Sequence, residues 1–140
     1  MNYPRILLAA VAALIMFFAW GFLTEGWLIR KDFAPSAALY RTSDLQIKYM
    51  PFGMAATLVA LLAAALVYAG WCGGTSGVIK GLQFGLLMGL FTACIHPISN
   101  LVTMNTDLKL GLEITVSNFI GWALASVAIG IAYKPIVVSR

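Results

Sequence analysis

Four glycines spaced four apart, Gly77, Gly81, Gly85 and Gly89, followed by Ala93, run through the apolar stretch GVIKGLQFGLLMGLFTACIHP. Residues four apart share one face of a helix, so the stretch carries a single stripe of small side chains. Leu82, Phe84, Leu86, Leu87, Leu90 and Phe91 fall on the other faces. A water-soluble helix loses about 0.8–1 kcal/mol for each interior glycine relative to alanine. In a bilayer the same stripe lets another backbone come close, and close packing drives helices together there. The stretch reads as a membrane helix gripped by its neighbours, a glycine zipper, and as the centre of its bundle.

Composition supports the bilayer. The chain has 140 residues, 61% hydrophobic and 10% charged, with a mean hydropathy of +0.92. A soluble domain has roughly 45–50% apolar and 25% charged residues. The surplus has to lie in lipid, so residues 1–140 form a single integral membrane domain, without room for a second soluble one. The net charge of +4 sits in the connections. It reads as membrane topology and gives no reason to expect nucleic acid as a partner.

Four spans follow, over about 5–27, 51–71, 77–100 and 112–133, each near the roughly 20 apolar residues that cross the hydrocarbon core. The fold class is therefore all-α, a transmembrane bundle of four helices. Pro4 and Pro51 suit first helical turns, where a missing N–H costs nothing. The opening MNYPR and apolar run look like a signal peptide, but Ile6 to Leu23 is longer than such a core and reads as a retained span. Residues 28–49 form the one long polar connection, broken by Pro35, with a short interfacial helix expected over Ser36 to Tyr40. Pro97 should kink the third span or end it irregularly. In the fourth span Ser117, Gly121 and Ala125 repeat the small-every-four rule.

SDLQIKY before the second span resembles TDLKLGL before the fourth, placing Asp44 opposite Asp107. This suggests two repeated helical hairpins; chance likeness between apolar segments is nearly as good an account. Arg5, Lys80, Lys134 and Arg140 fall on the side of the termini, and Arg30, Lys31, Arg41, Lys48 and Lys109 on the other. Lysine and arginine alone do not orient the chain. All five acids lie on the second side, which leaves the terminal side purely basic and favours cytoplasmic termini.

Polar groups inside spans are costly unless paired, and they often mark function. His96, the only histidine, lies near the end of the third span with Asn100 a turn on; Glu25, Glu113 and Asn118, with Thr24, approach the same leaflet. His96 and a carboxylate could form a proton-titrating or ligand-binding site. The plainer account is that His96 bonds a neighbouring helix or a carbonyl and pins the packing. Glu113 also suits the positive end of the fourth helix, Glu25 suits the interface, and Asn118 and Gln83 suit roles as glue between helices. Cys72 and Cys94 lack metal or redox spacing and read as small apolar fillers. No metal or other cofactor is expected, since a haem or metal site would need ligands from a second copy. Catalytic motifs such as GxSxG and HExxH are absent, so an enzyme is not expected.

FAWGFLTEGW, the Gly81/Gly85/Gly89 ladder followed by a proline, and the closing SNFIGWALASVAIGIAY carry a family likeness. Over nearly its whole length the chain resembles the small bacterial membrane proteins catalogued as domain of unknown function 1761. The resemblance implies four spans and brings no catalytic residue. Helix packing is expected through Gly77, Gly81, Gly85, Gly89, Ala93 and Gly121. The first functional expectation is a non-enzymatic module binding a partner or a lipid-like ligand, as a homo-oligomer or a subunit of a larger membrane complex. The second is a small oligomeric channel or transporter for a solute or proton. A transport role predicts polar residues facing a wet cavity; a binding or scaffold role predicts that they pair in a dry interior.

Overall fold

The computed structural model describes residues 2–39, 41–103 and 107–135. Among them four helices are long and apolar enough to cross a membrane: Tyr3–Leu28, Ser43–Trp71, Val78–Asn100 and Leu108–Ala132. Leu7, Ile15, Phe22, Val59, Leu87 and Ile131 are all exposed, a surface suited to lipid. This is an integral membrane protein built as a four-helix bundle.

The first span is an α-helix, α1 (Tyr3–Leu23), continued by a π-helical turn, Thr24–Leu28. Pro4 stands in its first turn, and the Asn2 side chain accepts from Arg5 N at 3.4 Å. The expected interfacial helix lies within a 3₁₀ stretch, Arg30–Leu39, that begins earlier; Tyr40 is outside the described residues. Helix α2 runs Ser43–Trp71 and starts two turns before Pro51, which lies inside it. At 1.5 Å per residue α2 is about 43 Å long, against a hydrocarbon core of about 30 Å. Its first turns therefore reach headgroup depth, where Asp44 and Lys48 keep their water.

Helix α3 (Val78–Ile95) breaks at His96, and a short α4 (Pro97–Thr103) follows. The cause is Pro97: without an N–H it cannot bond the preceding turn, whereas at a first helical position it needs no donor. Helix α5 spans Leu108–Ala132. The centre of the bundle belongs to α5, not to α3 as the glycine ladder suggests. Helix α5 packs along both α1 and α3, while α2 lies mainly against α1. The reason is that α5 has small residues on two faces. A Cβ on Gly121 would sit 3.2 Å from Trp20 and 3.3 Å from Phe17, both on α1. Ala123 and Ser126 face the ladder on α3: a Cβ on Gly81 would lie 2.5 Å from the Ser126 carbonyl oxygen, and one on Gly85 2.8 Å from the Ala123 Cα. Gly89 would meet the Phe119 carbonyl oxygen at 2.8 Å, and Ala93 is buried on the same stripe. Gly77 stands apart. It caps α3 with φ of 153°, a Cβ there would meet nothing within 4 Å, and its carbonyl oxygen lies against Gly130.

The two ends of the bundle differ. At the end of the chain termini, Ile6, Ala9, Ala10, Leu61, Tyr68, Phe84, Ile129 and Tyr133 form one core. Phe84 joins it by packing edge-on against Tyr68, ring centroids 5.5 Å apart. The Tyr68 hydroxyl lies 3.0 Å from Ser76 Oγ, which donates to the Gly130 carbonyl at 2.7 Å. That carbonyl is among the last four of α5, which have no partner in their own helix. The turn between α2 and α3 thus caps α5, and Asn2 Nδ2 reaches the Lys134 carbonyl at 3.3 Å. At the other end α2 leaves the bundle: every residue from Arg41 to Ala56 is exposed. The two hairpins are consequently unlike in packing, with α5 central and α2 peripheral.

Candidate functional site

At the open end a groove of about 370 Å³ runs between α1 and α5. Trp20, Thr24, Leu28 and Ile29 form one wall, and Leu112, Glu113, Val116, Ser117 and Ile120 the other. The π turn helps to shape it. Ile29 N donates to the Thr24 carbonyl five residues back at 2.9 Å, and the extra residue in the turn widens α1 where it meets α5. Such turns are frequent at functional sites.

The inner end of the groove is sealed by a polar knot. Trp20 Nε1 donates to the Ser117 carbonyl at 2.9 Å, tying α1 to α5. Thr24 Oγ1 donates back to the Trp20 carbonyl at 2.9 Å and lies 2.8 Å from Ser117 Oγ. With the Thr24 proton so used, Ser117 is the donor between the two hydroxyls. Every polar atom in the knot is satisfied, as burial in an apolar setting requires.

The outer end carries charge. Lys109 Nζ pairs with Asp32 Oδ1 at 2.6 Å and lies 3.5 Å from Glu113 Oε1. Lys109 and Glu113 are one turn apart on α5, and Asp32 comes from the 3₁₀ stretch, so the pair also fastens the first connection to α5. Glu113 is half-buried, and its Oε2 is shut off from solvent without a hydrogen-bond donor among the described residues. An unpaired buried carboxylate oxygen is costly. Thus the groove is apolar along most of its length, closed inside by satisfied hydroxyls and marked outside by an unsatisfied carboxylate.

The other sequence candidates do not gather here. His96 is exposed and, among the described residues, makes no side-chain hydrogen bond or ion pair, so it neither meets Glu113 nor pins a described neighbouring helix. Asn100 and Glu25 are exposed as well. Asn118 faces the opposite seam, where its Oδ1 accepts from Thr92 Oγ1 of α3 at 3.2 Å. Gln83 is exposed and makes no side-chain hydrogen bond among the described residues. Cys72 and Cys94 are both free thiols, the first buried and the second exposed. Among the described residues no three His, Cys, Asp or Glu side chains gather as a metal site would require. Sequence reasoning missed Trp20, Lys109 and Asp32 as site residues and read Ser117 only as a small residue. The four-residue spacing of Lys109 and Glu113 was an available signal; the pairing with Asp32 was not. No family model, curated protein or solved structure matches the chain.

Proposed function

We propose that the protein is a non-enzymatic membrane module that takes an amphiphilic molecule from the surrounding bilayer into the α1–α5 groove. The observation that carries this reading is the groove itself. Its flanking residues Leu28, Leu112 and Val116 are more than half exposed (57%, 51% and 56%), so a bilayer lipid can enter sideways. Its lining is apolar, as ligand sites usually are, with a few polar groups to fix orientation. Glu113 lies about 7.5 Å along α5 from the start of that helix, a depth suited to a headgroup. Channel and transporter readings draw less support: Asn118 pairs with Thr92, and Thr24 pairs with Ser117, in a packed interior.

With it goes the separate proposal that both termini lie in the cytoplasm, supported by the purely basic set Arg5, Lys80 and Lys134 on that side. A homo-oligomer is the companion proposal, supported by glycines left unused within the chain: a Cβ on Gly21, Gly53 or Gly70 would meet nothing within 4 Å.

The test is to fill the groove. Protein purified from membranes in mild detergent is examined by native mass spectrometry for retained lipid. The parent chain should hold an amphiphile that Val116→Trp loses, with an unchanged unfolding midpoint. Equal retention by both would remove the groove as a binding site.

A further inference from the structure

The groove also indicates which headgroup it accepts. This inference rests on the proposed lipid-binding reading and adds chemical identity to it. Three observations bear on it. First, Glu113 Oε2 at the outer end has no donor among the described residues, whereas the polar atoms at the inner end of the groove are paired. Second, the nearby cation serves another group first: Lys109 Nζ lies 2.6 Å from Asp32 but 3.5 Å from Glu113. The Glu113 charge is thus only partly offset by its own chain. Third, Lys109 has three protons and two acceptors at hand, and its side chain is 63% exposed. One proton is left over on an exposed ammonium one turn before Glu113, which lines the groove.

A carboxylate oxygen lacking both a donor and a full counter-charge calls for a cation that carries N–H bonds. A spare ammonium proton beside it calls for an anionic oxygen. A phospholipid with a primary ammonium and a phosphate supplies both at the same membrane depth. We propose that the groove selects an ethanolamine-type phospholipid, whose ammonium donates to Glu113 while its phosphate accepts from Lys109. Glu113 lines the groove, and the last torsion of a glutamate side chain is soft, so its carboxylate can turn to meet a headgroup there. One acyl chain follows the apolar wall from Glu113 past Val116 towards Ile120, a run of about 10 Å at the helical rise; the second chain stays in the bilayer. A choline headgroup has the same charge and nearly the same size but no N–H, so it cannot make the bond to Glu113.

The experiment compares ethanolamine, choline and glycerol phospholipids of identical acyl chains, offered in equal amounts to delipidated protein and read by native mass spectrometry. The parent chain should retain the ethanolamine lipid at least fivefold over the choline lipid. Glu113→Gln should lower that ratio towards one, and Glu113→Asp should keep part of it. Lys109→Ala should weaken all three lipids while preserving the preference. An unfolding midpoint for each variant shows that the fold is intact. Equal retention of ethanolamine and choline lipids, a preference for the glycerol lipid, or a preference that survives Glu113→Gln would overturn the headgroup assignment. In each of those cases loss of lipid in Val116→Trp would leave the groove as a lipid site, so the two failures can be told apart.

Discussion

The end of the bundle that holds the termini and the end that holds the acids are built on different rules. At the terminal end the contacts are short and mutual. Glycine backbones of α3 lie against α5, three aromatic rings (Tyr68, Phe84 and Tyr133) share one core, and Ser76 caps a helix that is not its own. At the acidic end only α1, α3 with α4, and α5 stay together, and α2 departs with its first fourteen residues exposed. A bilayer makes both arrangements tenable, because apolar side chains without protein neighbours are still in apolar surroundings. What the comparison teaches is where binding can evolve. At the closed end the core is tied by backbone contacts and a cap, whereas on the proposed reading the open end would lose or gain a lipid without disturbing that core.

The sharpest way to break the comparison is one substitution made at both ends. Gly81→Leu should be the most damaging change, because its first side-chain carbon alone would lie 2.5 Å from the Ser126 carbonyl oxygen and 2.9 Å from the Val127 Cα. Backbone cannot yield as a flexible side chain can, so a loss of about 3 kcal/mol or more is expected. Reversible unfolding in mixed micelles would measure it; a loss below about 1 kcal/mol would show that α3 and α5 are not held by backbone contact.

Tyr68→Phe should cost less, about 1 kcal/mol, the usual net worth of one buried hydrogen bond. The ring stays in the core, and Ser76 still donates to Gly130. What is lost is the bond from the Tyr68 hydroxyl to Ser76, so the damage should be confined to the turn between α2 and α3. Hydrogen exchange at Thr75 to Gly77 should speed up while exchange in α1 does not. A change spread over the whole bundle would mean that the closed end is a single cooperative unit with no local turn to loosen.

Much of this architecture was legible in the residues. Four spans follow from apolar runs that only lipid can hide, and the glycine ladder announced a backbone-to-backbone seam. Which helix stood at the centre was not legible: a stripe of small residues says that something comes close, but α5 wins because Gly121 serves α1 while Ala123 and Ser126 serve α3. The early start of α2 was hidden because Asp44, Lys48 and Pro51 resemble a loop, although a helix 29 residues long carries its first turns beyond the hydrocarbon. The site was legible in only one of its parts. Glu113 could be picked out as an acid near a span, but its groove depends on a π turn at Thr24 and on an ion pair between residues 77 apart. Neither leaves a periodic mark. His96 drew notice for its rarity, and rarity says nothing about what a side chain meets.

The smallest effect should come from repeating the glycine substitution at the open end. In Gly53→Leu the new side chain meets nothing within 4 Å of its first carbon, and the position lies on the exposed half of α2. A leucine there gains helix propensity and loses no contact, so unfolding of the single chain should shift by less than about 0.5 kcal/mol. The contrast with Gly81 then depends on neighbours alone, since the substitution and the helical setting are the same. The same variant also bears on assembly. If copies meet along α2, a leucine would hold their backbones apart, and cross-linking in lipid should fall while the unfolding midpoint stays fixed. Unaltered cross-linking would free this face of α2 from any role in joining copies, and the open end would then belong to lipid alone.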